Sequence, residues 1–202
     1  MNLLHIDSSI LGANSVSRTL TADIVEAERR RHADLNVVYR DLASEPIGHL
    51  NGAYLAAGQG IVPEADDVRR DINTGQAAME EFLAADIIVI GAPMYNFTVP
   101  SQLKAWIDRI AVAGKTFRYS AAGVEGLAGG KRLIIASSRG GFYGADTPAA
   151  SLDHQENYLR GLFGFLGISD ITFIRAEGIG LGPEERTRSI EAAKGEIFAM
   201  VA

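Results

Sequence analysis

The sequence predicts an α/β protein, a parallel sheet of five strands with helices on both faces, and three observations carry that prediction. Short β-branched, apolar runs alternate with longer segments of helical period along the chain. One of these runs, Ile87-Ile88-Val89-Ile90-Gly91-Ala92, is apolar throughout, as a strand buried on both faces should be. The chain has 202 residues, 47% of them hydrophobic. At that size a core burying roughly 70–75% of the unfolded surface forms without metal or disulfide staples.

Taken in order, residues 2–7 form the first strand, followed by a polar loop from Ser8 and a helix over about 15–31. The second strand is 35–40. The third is 87–92, with a helix over 101–113 behind it. The fourth is 132–137, with a helix over about 153–166, and the fifth is 171–176, with a helix over 184–201. The long connection 41–86 contains Pro46, Gly48, Gly52, Gly58, Gly60 and Pro63 before helical pattern resumes near Glu64. It reads as an excursion with one short helix near 51–57, not as a second domain. No internal repeat or low-complexity tract is present, so residues 1–202 read as one domain.

Composition excludes several classes of function. The absence of cysteine removes disulfides, Cys-bound zinc, Fe–S clusters and thiol nucleophiles. Nineteen basic against 25 acidic residues, a net of −6, argues against non-specific nucleic-acid binding. Arg29-Arg30-Arg31 closes a helix, where cations complement the dipole. No apolar run approaches the ~20 residues of a membrane helix. Met1-Asn2-Leu3-Leu4-His5 has neither the basic start nor the apolar stretch of a signal peptide, so a cytoplasmic protein away from the membrane is expected. His5, His32, His49 and His154 have no metal-ligand spacing, so no metal is expected. No Gly-x-Ser-x-Gly elbow exists, so a hydrolase triad lacks its nucleophile signature.

In an open parallel sheet, ligands bind beyond the carboxyl ends of the strands, where the strand order reverses. The loops after strands one, three and four are therefore the ones that matter. The first, Ser8-Ser9-Ile10-Leu11-Gly12-Ala13-Asn14-Ser15-Val16-Ser17-Arg18, leads into a helix whose free N–H groups and dipole favour an anion. Its serine hydroxyls suit a phosphate monoester; equally, Asn14 or Ser15 is simply a helix cap. The second, Pro93-Met94-Tyr95-Asn96-Phe97-Thr98-Val99-Pro100, sets two aromatic residues between prolines and offers either a flat apolar wall or local packing. The third, Ser137-Ser138-Arg139-Gly140-Gly141-Phe142-Tyr143-Gly144, has paired glycines that permit close backbone approach to a ligand. In it Arg139 or exposed N–H groups can oppose a developing negative charge. A phosphate loop, a flat wall and a glycine turn converging on one crevice fit a phosphorylated planar ring, and flavin mononucleotide (FMN) matches. No Gly-x-Gly-x-x-Gly follows the first strand, so the dinucleotide fingerprint is missing, and Asp41 at the end of the second strand reads as a helix-facing or turn carboxylate.

These residues resemble a family. Ser8-Ser9-Ile10-Leu11 with Ser15 and Ser17, Pro93-Met94-Tyr95-Asn96-Phe97, Gln102-Leu103-Lys104, Gly114 with Thr116-Phe117-Arg118-Tyr119, Ser138-Arg139-Gly140-Gly141 and Ala176-Glu177-Gly178 are similar, in order, to the FMN-dependent NADH-azoreductases. The resemblance implies a flavodoxin-like three-layer fold with strand order 2-1-3-4-5, and a homodimer with two active sites at its interface. It implies one FMN per subunit, NADH as donor, two-electron reduction of quinones, and reductive cleavage of aromatic azo bonds. It assigns FMN contacts to Ser9, Ser15, Val16, Ser17, Met94, Tyr95, Asn96, Phe97, Ser138, Arg139, Gly140 and Gly141. It turns Tyr119 and Phe163 toward the substrate. The segments 41–86 and 142–153 look least like the family and should border the pocket.

The expected chemistry is a ping-pong hydride transfer through the flavin N5, in which backbone N–H groups near the N1–O2 edge steady negative charge and no side chain acts as covalent catalyst. A flavodoxin-type carrier passing electrons to protein partners is the competing reading. Such carriers depend on charge-guided docking, and −6 over 202 residues is a modest field. A flavin-free interaction domain on the same sheet leaves the three loops unexplained.

Overall fold

A computed structural model describes residues 1–121 and 123–200. In chain order the elements are β1 (Asn2–Asp7), α1 (Val16–Arg31), β2 (Asn36–Asp41), α2 (Gly52–Gly58), α3 (Asp66–Ala84), β3 (Ile87–Pro93) and α4 (Ser101–Ile110). Then come β4 (Phe117–Ser120), β5 (Gly123–Gly126), β6 (Arg132–Ser138), α5 (Glu156–Phe165), β7 (Asp170–Ala176) and α6 (Pro183–Ala199). The five long strands pair in parallel in the order β2-β1-β3-β6-β7. Counting only sheet strands, this is the order 2-1-3-4-5.

The apolar runs make this sheet because both of its faces are covered. Leu4, Ile6, Ile88, Ile90, Leu133 and Ile135 point to one side, into a cluster with Phe82 of α3, Trp106 of α4 and Phe163 of α5. Leu3, Ile87, Val89, Ile134, Ala136 and Ile174 point to the other, against Leu20 and Ile24 of α1 and Ile197 of α6. Successive strand residues alternate faces, so a strand between two helical layers must be apolar at every position.

Several boundaries differ from the sequence expectation for local reasons. α4 ends at Ile110, short of 113, because the Thr116 hydroxyl donates to the Ile110 carbonyl at 2.6 Å and accepts from the Val112 N–H at 3.0 Å. α5 begins at Glu156, after 153, because Asp153 Oδ1 stands outside the helix and accepts from the N–H groups of Gln155 and Glu156, both at 3.0 Å. α6 begins on Pro183, which has no N–H to leave unpaired; the expected end at Val201 lies outside the described residues. The antiparallel hairpin of β4 and β5 was not expected at all.

The excursion 41–86 carries α2, capped by Asn51, and the long α3. It is tied down by Arg109 of α4, a fully buried guanidinium. Arg109 donates to the Gly48 carbonyl and to Asp71, both at 2.7 Å, and stacks over the Tyr54 ring at 4.0 Å.

Candidate active site

The strand order reverses between β1 and β3, and the three singled-out loops meet beyond the carboxyl ends of β1, β3 and β6. The first loop closes on α1 with Ser15 as the N-cap, its Oγ accepting from the Arg18 N–H at 3.3 Å. Val16 and Ser17, the first two residues of the helix, are buried, and their N–H groups have no acceptor among the described residues. Orphaned buried donors are costly unless a ligand takes them, and an anion at a helix start does so. The hydroxyls of Ser15 and Ser17 lie 3.1 Å apart beside them, and Ser9 is also buried. Of the two sequence readings of this loop, the cap is seen directly in Ser15, and the unpaired N–H groups beside it have the chemistry the other reading asks for.

The second loop turns sharply. Asn96 and Phe97 both take positive φ, 48° and 70°, and are the only non-glycine residues that do so among those described. Asn adopts this conformation readily, but for Phe it is strained, by an amount on the order of 1–2 kcal/mol. The strain is held by a two-way bridge in which the Tyr95 N–H donates to the Thr98 carbonyl (3.0 Å) and the Thr98 N–H donates back to Tyr95 (3.1 Å). The result leaves the N–H groups of Asn96 and Phe97 without acceptors and their side chains exposed.

Hydrogen bonds join the loops to one another. Tyr95 Oη lies 3.3 Å from Ser9 Oγ and accepts from the Ile10 N–H at 3.3 Å, which ties the second loop to the first. The Met94 N–H donates to the Ser138 carbonyl at 2.8 Å, which ties it to the third. Gln155, fully buried, accepts from the Ser137 hydroxyl at 2.7 Å and donates to the Ala92 carbonyl at 3.0 Å, bracing the ends of β3 and β6 from behind. In the third loop the N–H groups of Gly140 and Gly141 are unpaired, and a Cβ built on Gly140 would meet nothing within 4 Å. The turn there has both open space and unpaired donors.

Two sequence expectations need correcting. The Arg139 side chain does not face the crevice: it is 1% exposed and turned inward to Asp153, Glu156 and Glu177, with its Nε donating to Ser137 at 3.0 Å. Its backbone N–H is taken by the Ala176 carbonyl at 2.9 Å. Its charge is spent on shaping the loop. Phe163 is 0% exposed in the core under the sheet, because α5 turns Leu159, Phe163 and Leu166 inward at helical spacing, so it cannot touch a substrate. Tyr119, on β4, is 73% exposed and stacks edge-on against Phe117 at 5.6 Å.

Beneath the first loop lies a polar network whose members are far apart in sequence. Arg18 grips Asp41 with both Nη atoms (2.8 and 2.6 Å) and the Ser9 carbonyl with Nε and Nη2 (3.2 and 2.8 Å). Buried Asp7 accepts from Thr21 at 2.8 Å and from Tyr39 at 3.1 Å. Burial pushes the Asp7 carboxyl up, but His5, Thr21 and Arg18 outweigh it and hold the group below its ordinary value. Asp41 is held down at about 2 by its hydrogen bonds from Arg18, against burial and with help from the Ala43 and Ser44 N–H groups. Tyr39 is pushed up to about 12 by burial and by the neighbouring Asp7. Only the cation at the start of α1, where an acid is favoured, signalled this network in the sequence.

A cavity of about 510 Å³ flanks the second loop, walled by Tyr95, Asn96, Thr98, Lys104 and Tyr158. Burial and nearby Asp108 push the Tyr158 hydroxyl up to about 12, so it stays a neutral donor.

A parallel sheet in this order, with an anion cradle at its reversal point, defines a flavodoxin-like protein. Residues 1–200 match the family model described as the flavodoxin-like fold. The chain is 60% identical over 194 residues to an FMN-dependent NADH:quinone oxidoreductase of Bradyrhizobium sp., covering 96% of each chain. It is 57% identical to one from Methylorubrum populi over the whole of both chains. Among solved structures, an azoreductase from Bacillus anthracis superimposes with a TM-score of 0.88 at 27% identity, covering 100% of this chain and 98% of that one. The chain belongs to the flavodoxin-like family of FMN-dependent NADH:quinone oxidoreductases.

Proposed function

We propose that this single-domain chain is an FMN-dependent oxidoreductase that takes two electrons from NADH, delivers them to quinones, and cleaves aromatic azo bonds reductively. The observation that carries the reading is the set of unpaired backbone donors on three joined loops: Val16 and Ser17, Asn96 and Phe97, Gly140 and Gly141. The first pair, with Ser9, Ser15 and Ser17, suits a phosphate monoester. The other two pairs lie on loops joined by the bond from the Met94 N–H to the Ser138 carbonyl and suit the polar edge of a flat ring.

When bound, FMN supplies the hydride relay, accepting at N5 from NADH and giving to the acceptor in a separate step. The chain's own residues bind and orient. The N–H groups of Val16 and Ser17 bind the phosphate at the positive end of α1. Met94, Tyr95, Asn96 and Phe97 form one wall, and Ser138, Gly140 and Gly141 the other. Arg139 serves through its ion pairs, which fix the turn that presents the two glycine N–H groups. Those N–H groups steady negative charge on the pyrimidine edge without carrying charge themselves, and they need no reorganisation to do so. No side chain acts as nucleophile.

The active form is a homodimer in the cytoplasm. Tyr119 supports the dimer: α4 carries the chain about 15 Å back from the crevice at 1.5 Å per residue before β4 begins. Phe117 of the same strand packs at 4.7 Å on Phe165, where α5 ends on the side away from the crevice, so the exposed Tyr119 ring stands at that side, open to a second copy.

The test is the visible spectrum of the purified protein under argon. Bands at about 375 and 450 nm that bleach on adding NADH and return with a quinone are the expected result. A colourless protein that takes up no added FMN overturns the reading.

A further inference from the structure

Arg18 is the third residue of α1. A cation in the first turn of a helix opposes the macrodipole, so its presence there needs a compensating partner. Asp41, at the end of β2, is that partner, holding the guanidinium in a two-pronged grip. Of the remaining donors, one on Nη1 goes to the Tyr39 hydroxyl at 3.1 Å, and Nε and Nη2 converge on one backbone atom, the Ser9 carbonyl oxygen. That grip has a consequence on the opposite side of the same peptide. A trans peptide points its C=O and N–H in opposite directions. With the Ser9 carbonyl drawn down to Arg18, the Ile10 N–H is turned up to Tyr95 Oη, which also lies beside Ser9 Oγ. The Ser9 carbonyl oxygen is therefore held on the Arg18 side of the loop, and the side that meets Tyr95 carries the Ile10 N–H and the Ser9 hydroxyl instead. A flipped peptide would turn that oxygen, with its partial negative charge, to the side where the Ser9 hydroxyl lies.

We propose that Arg18 and Asp41 are positioning residues for the flavin phosphate: together they lock the Ser9–Ile10 peptide in the orientation that accepts it. The proposal rests on the flavin reading above and adds residues that touch neither ring nor substrate. Positioning and plain charge attraction make opposite predictions for Asp41. Removing a carboxylate near a phosphate should tighten binding by charge alone. If the carboxylate anchors the guanidinium, removing it should weaken binding.

The experiment titrates apo-protein with FMN and, separately, with riboflavin, which lacks the phosphate, following flavin fluorescence. The variants are Asp41→Asn, which keeps the oxygen that caps Ala43 and Ser44, Arg18→Gln, and Arg18→Lys, which keeps the charge but not the fork. The expected result is a loss of FMN affinity of about tenfold in all three, with riboflavin affinity unchanged within about twofold. Unchanged or tighter FMN binding by Asp41→Asn overturns the proposal, as does a wild-type ratio of FMN to riboflavin affinity in Arg18→Lys. Equal losses for both flavins overturn it too, since a merely structural role acts on both alike, and retained riboflavin binding shows that a variant is folded. A wild-type protein that binds neither flavin overturns the flavin reading itself, an outcome distinct from the variant results.

Discussion

Asp41 keeps its charge far into acid because Arg18 and two backbone N–H groups are paid in hydrogen bonds to it. Its folded value of about 2 lies below the ~3.9 of an unfolded chain. A lowered carboxylate contributes its stability in full above the unfolded value and loses it as pH falls through the folded one. Wild type should therefore melt above Asp41→Asn at pH 6, with the gap closing between about pH 4 and pH 2. Thermal melts across that window check this; a gap that stays constant would show that the pair is not what Asp41 contributes. Residue identity read alone was a good guide at Ser15, one of two residues that could cap α1 and the one that does. It misled at Arg139, whose positive charge suggested a ligand contact. A carboxylate 38 residues away and two more on the approach to α5 had already claimed it.

At the scale of elements, the hairpin of β4 and β5 was invisible to periodicity because two four-residue strands flanked by glycine hold no repeat to detect. What fixes it is a close approach. Gly126 lies against the turn after α5, and a Cβ built on it would sit 2.2 Å from the Gly167 nitrogen and 2.3 Å from the Leu166 carbonyl carbon. Both are backbone atoms and cannot swing aside. Gly126→Ala should cost about 3 kcal/mol in urea unfolding and loosen the hairpin that carries Tyr119. A change near zero would mean that the hairpin moves freely against α5. The helices, by contrast, were legible to within about three residues, and at the two largest shifts a side chain was responsible: Thr116 closing α4, Asp153 standing ahead of α5.

For the molecule as a whole, the parallel topology sends every strand toward the loop end and every crossover helix back from it. That puts the cradle, the strained turn and the glycine turn together, and Tyr119 away from them. With the homodimer proposed above, Tyr119→Ala should leave FMN content and dimer mass unchanged while lowering turnover of quinones severalfold. Sedimentation equilibrium with steady-state rates tests this. A fully active single chain would show that the exposed tyrosine serves no second crevice.

The chain order of the sheet strands and their helices, and the meeting of three loops beyond the ends of β1, β3 and β6, followed from the sequence by itself. They rest on local signals: apolar periodicity, turn residues and hydroxyls ahead of a helix. Tertiary structure alone decided which side chains reach those loops. Arg18 and Asp41 stand 23 residues apart, Gln155 braces the ends of two strands from the start of α5, and Phe163 is wholly buried in the core while Tyr119 is exposed. Local periodicity specifies the path of the backbone, whereas the partner of a buried charge or the facing of one ring is settled only when distant segments pack.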